Sequence, residues 1–312
     1  MSEGIRIRRE VLAMSWEYES LFNVQRDQGT DGIQLDIWSV QPTAIRVGRM
    51  GYRTKTTVAG DRLEAEVFPI YGRAEAGRAR AAKQNVTREA QKNLNDRRAE
   101  HRLILLAEAN FTDRDYHMTL TYREEPSEKR AMKDINNFLA RVRRIRKKRN
   151  LPDLKYIYAM GGGEGEQEKR LHFHLMISGG VPRDEMEKCW LQTPGAGRAD
   201  TDRLQPNDAG LEELSKYMFR QHRDRKRRTE GTGFRRYNTS RNLKQPKSRT
   251  SDSRCSNARV KRIAADIQNA AKVEMSRIYP GYRFIDCRVY YSDMIDGVYI
   301  RCTMRKIRGG GG

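Results

Sequence analysis

The 312-residue chain has no apolar run approaching the roughly 18 residues that a membrane span requires. Its first twenty residues, MSEGIRIRREVLAMSWEYES, lack the unbroken apolar stretch of a secretory signal. There are only four cysteines, Cys189, Cys255, Cys287 and Cys302, and no two form a C-x-x-C pair. That spacing speaks against a zinc ribbon and against a disulfide framework, and it suits ordinary thiols in a reducing compartment. No H-E-x-x-H motif supports a zinc hydrolase. No internal repeat is visible. Histidine is also scarce, at five residues.

What the chain does have is positive charge. Lys and Arg total 62 against 41 Asp and Glu, a formal net charge of +21. An excess of that size calls for a polyanionic partner. With no span and no signal in view, a cytoplasmic protein that binds nucleic acid, and no membrane, is the expectation. Hydrophobic residues make up 37% of the chain, enough for a core of a few strands and helices.

Residues 1–85 carry short alternating stretches such as Ile33–Ile37, broken by glycines, and predict a variable, irregular β-rich region. From Thr87 to about Ala109 the apolar residues fall on one helical stripe. Tyr116–Tyr122 is β-branched and aromatic and predicts a strand. Ser127 then caps a predicted helix reaching Lys148, with Ala131, Ile135, Phe138, Leu139, Val142 and Ile145 on one face. Its last turns carry Arg143, Arg144 and Lys147, either a solvated face or a rail for a nucleic-acid backbone. Lys155–Met160 and Leu171–Ile177 predict a hairpin, followed by helices over Asp184–Leu191 and from about Asp208. Residues 220–250 are strongly basic and predict long loops with brief order. Ala264–Ile278 predicts a helix, and Tyr282–Tyr291 with Gly297–Met304 a closing strand pair. Residues 309–312 are four glycines, a tail with no side chains to pack.

Three features carry chemistry. In His172-Phe173-His174, alternation along a strand puts both imidazoles on one face, where two nitrogens can hold one divalent metal. A carboxylate is the preferred third donor. Glu164, Glu166 and Glu168 are available in the preceding loop, with Glu164 nearest the strand end; Glu164 is equally readable as a solvated loop acid, and Glu166 and Glu168 read more readily as solvated acids. Tyr217 and Arg220 lie three apart on a predicted helix and so share a face. A phenol beside a guanidinium suits nucleophilic attack on a phosphodiester, because a nearby cation favours the phenolate. The basic span Lys216–Arg249, with Phe234, Tyr237, Asn238, Arg241, Asn242 and Lys244, mixes cations with planar side chains as single-strand binding requires.

Taken in order, these pieces resemble the rolling-circle replication initiators of the HUH endonuclease superfamily, in the branch similar to the gene II replication proteins of filamentous phages. The resemblance runs from about Gln91 to Met304. It rests on Lys92-Asn93-Leu94-Asn95, Ala109-Asn110-Phe111-Thr112, Met118–Tyr122, His172-Phe173-His174 with Gly179-Gly180, Tyr217–Arg220, Ser240–Pro246 and Tyr279-Pro280-Gly281-Tyr282. It implies an α+β fold: a central antiparallel sheet with flanking helices, a nicking domain over 86–250 and a C-terminal helix and strand pair over 251–308 that completes the sheet or stands as an accessory. It further implies Mg²⁺ or Mn²⁺ held by His172, His174 and Glu164, with Tyr217 as the nucleophile and Arg220 beside it. Arg143, Arg144, Lys147, Arg241 and Lys244 would bind DNA. The expected partners are a single-stranded DNA origin and the polymerase and helicase of a bacterial host. A relaxase or transposase would share this chemistry, and a non-catalytic nucleic-acid-binding protein would share the charge.

The chain departs from the family pattern twice. Where the family places a glutamate at the end of the strand before the histidines, this chain reads Met160-Gly161-Gly162-Gly163. Where the family commonly has lysine three residues after the tyrosine, it has Arg220, which keeps the charge but does not shed its proton.

Overall fold

The computed structural model describes residues 51–70, 88–162, 170–226, 236–291 and 297–307. In chain order the elements are strands β1 (Gly51–Ala59) and β2 (Arg62–Ile70), helix α1 (Arg88–Asn110), β3 (Tyr116–Tyr122), helix α2 (Glu128–Lys148), and strands β4 (Tyr156–Gly161) and β5 (His172–Ile177). Helix α3 (Arg183–Leu191), β6 (Ala196–Arg203), helix α4 (Glu212–Lys226), β7 (Asn238–Thr239) and β8 (Lys247–Ser251) follow. Helices α5 (Asn257–Ala265) and α6 (Asn269–Ile278) precede the last strands, β9 (Tyr282–Tyr291) and β10 (Val298–Lys306). The fold is α+β, with two five-stranded sheets among the described residues.

The chain divides into two units. One comprises 1–58, 63–94 and 247–312, and the other 59–62 and 95–246. The second unit holds the expected antiparallel sheet, in the order β6-β3-β5-β4-β7. Helices cover both of its faces. Ile135, Phe138, Leu139 and Val142 of α2 and Met186 and Trp190 of α3 share a core with Met118, Leu120, Phe173 and Leu175. On the other face Leu103, Leu106 and Ala107 of α1 and Met218 and Phe219 of α4 pack with Ile157, Ala159 and Met176. Each large side chain so buried contributes about 1.5–3 kcal/mol relative to exposure.

Local chemistry explains the element ends. The Ser127 side chain accepts from Arg130 N, and the basic residues Arg146, Lys147 and Lys148 fill the last turn of α2. Just beyond, Asn150 adopts a left-handed conformation (φ 53°) that stops the helix. Arg146, 5% exposed, donates to Pro152 O, Ser178 O and Gly179 O and so ties the end of α2 to the end of β5. Gly179 has to be glycine, since a Cβ there would stand 2.1 Å from Arg114 O.

The first unit carries the sheet β8-β1-β2-β10-β9, with α5 and α6 on one face. The closing strand pair therefore belongs with β1 and β2 rather than with the histidine sheet. The single helix expected over 264–278 is instead two helices. Asp266 ends α5, and its Oδ1 accepts from Asn269 N at the start of the next. Glu274 holds Arg259 and Arg262 across that break. The helix expected from Asp208 starts at Glu212, because residues 207–210 form a turn and the Glu108 carboxylate takes up Leu211 N. That helix also runs to Lys226, further into the basic span than its composition suggests. The Ile33–Ile37 stretch, Phe234 and the terminal glycines lie outside the described residues.

Candidate active site

The site is built on β5, which lies between β3 and β4. His172 stands opposite Thr121 on one side and Gly161 on the other; His174 stands opposite Thr119 and Ala159. Alternation sends Phe173 and Leu175 into the α2–α3 core, so the two imidazoles leave the face covered by α1 and α4. Their rings are 4.9 Å apart at 86°.

Hydrogen bonds orient both rings. His172 Nδ1 donates to Arg170 O at 2.8 Å, so its Nε2 is the ring nitrogen left for another partner. His174 Nδ1 meets Thr119 Oγ1 at 3.3 Å. Its Nε2 faces the hydroxyl of Tyr217 at 3.5 Å, with ring centroids 5.0 Å apart. His174 is 4% exposed whereas Tyr217 is 39% exposed. Burial, and then the neighbouring His172 and His117, push the His174 pKa down to about 3, so this imidazole is neutral at any ordinary pH.

Helix α4 delivers Tyr217 by its own amphipathic pattern. Leu211, Met218 and Phe219 are buried against the sheet, Leu214 is partly buried, and Ser215 closes on Leu211 O. Arg220 is exposed one turn further along the helix and makes no side-chain hydrogen bond or ion pair among the described residues.

Sequence reasoning missed His117. Its ring lies 5.5 Å from that of His174 with planes 7° apart. Burial lowers its pKa, while Asp202 and Asp200 on β6 oppose that shift. The available signal was positional, since His117 alternates with Thr119 and Thr121 and therefore shares their face.

The other candidates are dispersed. Arg143, Arg144 and Lys147 ride on α2, which covers the sheet face opposite the histidines, and Arg143 stacks over Tyr156. Arg241 and Lys244 are exposed in a segment fastened to the rest of its unit. Asn110 there pairs with the backbone of Lys244 in both directions, and Asn242 reaches Leu154 O. Those bonds give the Asn110 and Ser240–Pro246 elements a structural role.

For a divalent metal, the donor set is the two imidazoles of His172 and His174. Among the described residues no three His, Cys, Asp or Glu side chains are grouped to hold a metal ion. Of the two positions in register with His172, where a third side chain would share its face, one is Thr121 and the other is Gly161. Glu164, Glu166 and Glu168 lie outside the described residues.

Residues 115–222 match the family model of the replication-associated proteins of the ORF2 and phage gene II type. That segment is about a third of the chain, and it runs from the start of β3 into α4, so it contains His172, His174 and Tyr217. Over it the chain is similar to replication-associated proteins, as its motifs suggest. No curated protein and no solved structure matches. No helix among the described residues is long and apolar enough to cross a membrane.

Proposed function

We propose that the protein nicks and rejoins single-stranded DNA at a replication origin, with Tyr217 as nucleophile. The observation that carries this reading is the Tyr217 hydroxyl 3.5 Å from His174 Nε2, on the face where His172 also projects. In the proposed step the Tyr217 oxygen attacks a backbone phosphorus and its proton leaves to solvent, to which the half-exposed ring is open. The bond from phosphorus to the 3′ oxygen breaks, and that oxygen takes up a proton. The products are a 5′-phosphotyrosine and a free 3′-hydroxyl. The phosphodiester is conserved in the new linkage, so the reverse reaction rejoins strands without a nucleotide cofactor. Arg220 supplies fixed positive charge beside the phosphate.

His172 and His174 would hold Mg²⁺ or Mn²⁺, with a carboxylate from the loop containing Glu164; when bound, the ion polarises the phosphate as a Lewis acid. The free 3′-hydroxyl would serve a host polymerase, with a helicase displacing the strand, in the cytoplasm of a bacterial host. Gly161 favours a second reading, in which the metal site is incomplete and the protein binds nucleic acid without cutting it.

A covalent-adduct assay separates the two. Labelled single-stranded DNA is incubated with the protein and Mn²⁺ and run on a denaturing gel. A band that keeps the label, with the DNA mapped to the peptide containing Tyr217, is the expected result. No adduct on any single-stranded library with either ion would leave the binding protein as the better reading.

A further inference from the structure

Strand β6 is an edge strand of polar sequence, AGRADTDR, and it contains an irregularity. Tyr122 stands opposite Ala196 and Leu120 opposite Ala199, so Gly197 and Arg198 together face the single residue Thr121. That is a β-bulge, the device by which an edge strand re-aims a side chain. Thr121 fastens it from both sides, since its Oγ1 accepts from Arg198 N at 2.7 Å and donates to Arg198 O at 2.9 Å. Gly197 is required there: a Cβ would come within 2.7 Å of the Tyr122 carbonyl carbon and 2.9 Å of Thr121 Oγ1.

Thr121 is also the cross-strand neighbour of His172. Past the bulge, Ala199 packs on the α2–α3 core, so Arg198 and Asp200 project from the histidine face. Two strand spacings, about 10 Å, separate the backbones of β6 and β5, a gap an extended arginine spans in large part. The Arg198 side chain is 80% exposed, and its acidic partner among the described residues, Asp200, stands 3.8 Å away. Asp200 and Asp202 also lie near Arg183 of α3, which offsets part of their charge. A guanidinium fixed at its backbone, largely exposed at its tip and held there, among the described residues, only by a 3.8 Å ion pair with Asp200, is suited to bidentate binding of a phosphate.

We infer that Arg198 binds a backbone phosphate of the single strand beside the scissile one, so that the DNA enters over the β6 edge on the histidine face. The inference rests on the nicking reading for the word scissile, but the contact is measurable without cleavage.

The test is salt-dependent binding of a labelled single-stranded oligonucleotide to the full chain, read by fluorescence anisotropy. Each phosphate contact on a single strand contributes about 0.7 to the slope of log K against log salt. Arg198→Ala should lower the slope by that amount and weaken binding several-fold at low salt, with an unchanged melting temperature. Arg198→Lys should restore the slope. An unchanged slope in Arg198→Ala overturns the inference, as does an equal loss in Arg198→Lys. If the slope falls while the unsubstituted protein forms no adduct, the phosphate contact stands and the nicking reading fails. Arg144→Glu, on the opposite sheet face, should weaken binding less than Arg198→Glu; the reverse order would put the strand on the α2 side and overturn the inference.

Discussion

Replacing Tyr217 with phenylalanine removes one oxygen atom and keeps the ring. Among the described residues the hydroxyl makes a single polar contact, 3.5 Å to His174 Nε2, at the long limit of a hydrogen bond. A well-formed hydrogen bond contributes about 0.5–1.5 kcal/mol net, so this one should contribute roughly 0.5 kcal/mol or less. For a unit of this size that is about 1–2 °C in melting temperature. DNA affinity should stay within about twofold, because the hydroxyl carries no charge. Adduct formation should instead fall roughly 10⁴-fold or more, the scale on which loss of a nucleophile acts. Thermal melting, anisotropy and the denaturing-gel assay together separate the two roles. Tyr237→Phe is the control: burial keeps that phenol protonated, its ring packs on the α1–α4 core, and its variant should still form adduct. Undiminished adduct in Tyr217→Phe would refute the assignment. So would a melting temperature lower by about 5 °C or more, since the tyrosine would then be a packing residue.

Gly161→Glu should tighten Mn²⁺ binding at least about tenfold by calorimetry, because position 161 is in register with His172 and a carboxylate there adds a hard donor; an unchanged affinity would mean that the position does not face the ion. His174→Ala should abolish adduct formation while leaving salt-dependent DNA binding largely intact, and EDTA-resistant nicking by this variant would remove the metal from the scheme. In metal-free protein, His174 titrates near 3 when folded and near 6.5 when unfolded, so its stabilising contribution is full above about pH 6.5 and is lost as pH falls toward 3. On the order of 5 kcal/mol is at stake, and His174→Phe should flatten the acid limb of a stability–pH curve; an identical limb would count against a buried neutral ring. Arg146→Met leaves three carbonyl groups without their charged donor and should cost about 3 kcal/mol, seen as a lower urea midpoint with an unchanged slope.

The histidine face is legible in the sequence because two-residue periodicity is a property of any strand, and His172-Phe173-His174 needs only that. Helix α2 is legible at both ends, from Ser127 and from the basic last turn. Strand β6 is not. AGRADTDR has no apolar alternation, and backbone pairing with β3 holds it in place. Sequence points to the loop of Glu164 for the third donor, while the register position that bears on it is a glycine. The basic face of α2 suggests a rail, but charge pattern alone does not encode which side of the sheet the helix covers. His117 escapes notice because a lone histidine in a strand has no partner in sequence; its neighbour is 57 positions away and appears only once β3 and β5 pair.

The first unit is assembled from both ends of the chain. Tyr299 on β10 hydrogen-bonds Glu66 on β2 across 233 positions, and Val298 meets Tyr52 across 246. Contacts that distant in sequence are slow to form and cannot form at all until β10 has been synthesised. Residues 95–246, by contrast, close their own sheet from contiguous sequence. On a ribosome the histidine–tyrosine face would therefore be complete while the last strands of the other sheet were still untranslated. A chain truncated after residue 250 should retain that face and lose the terminal sheet.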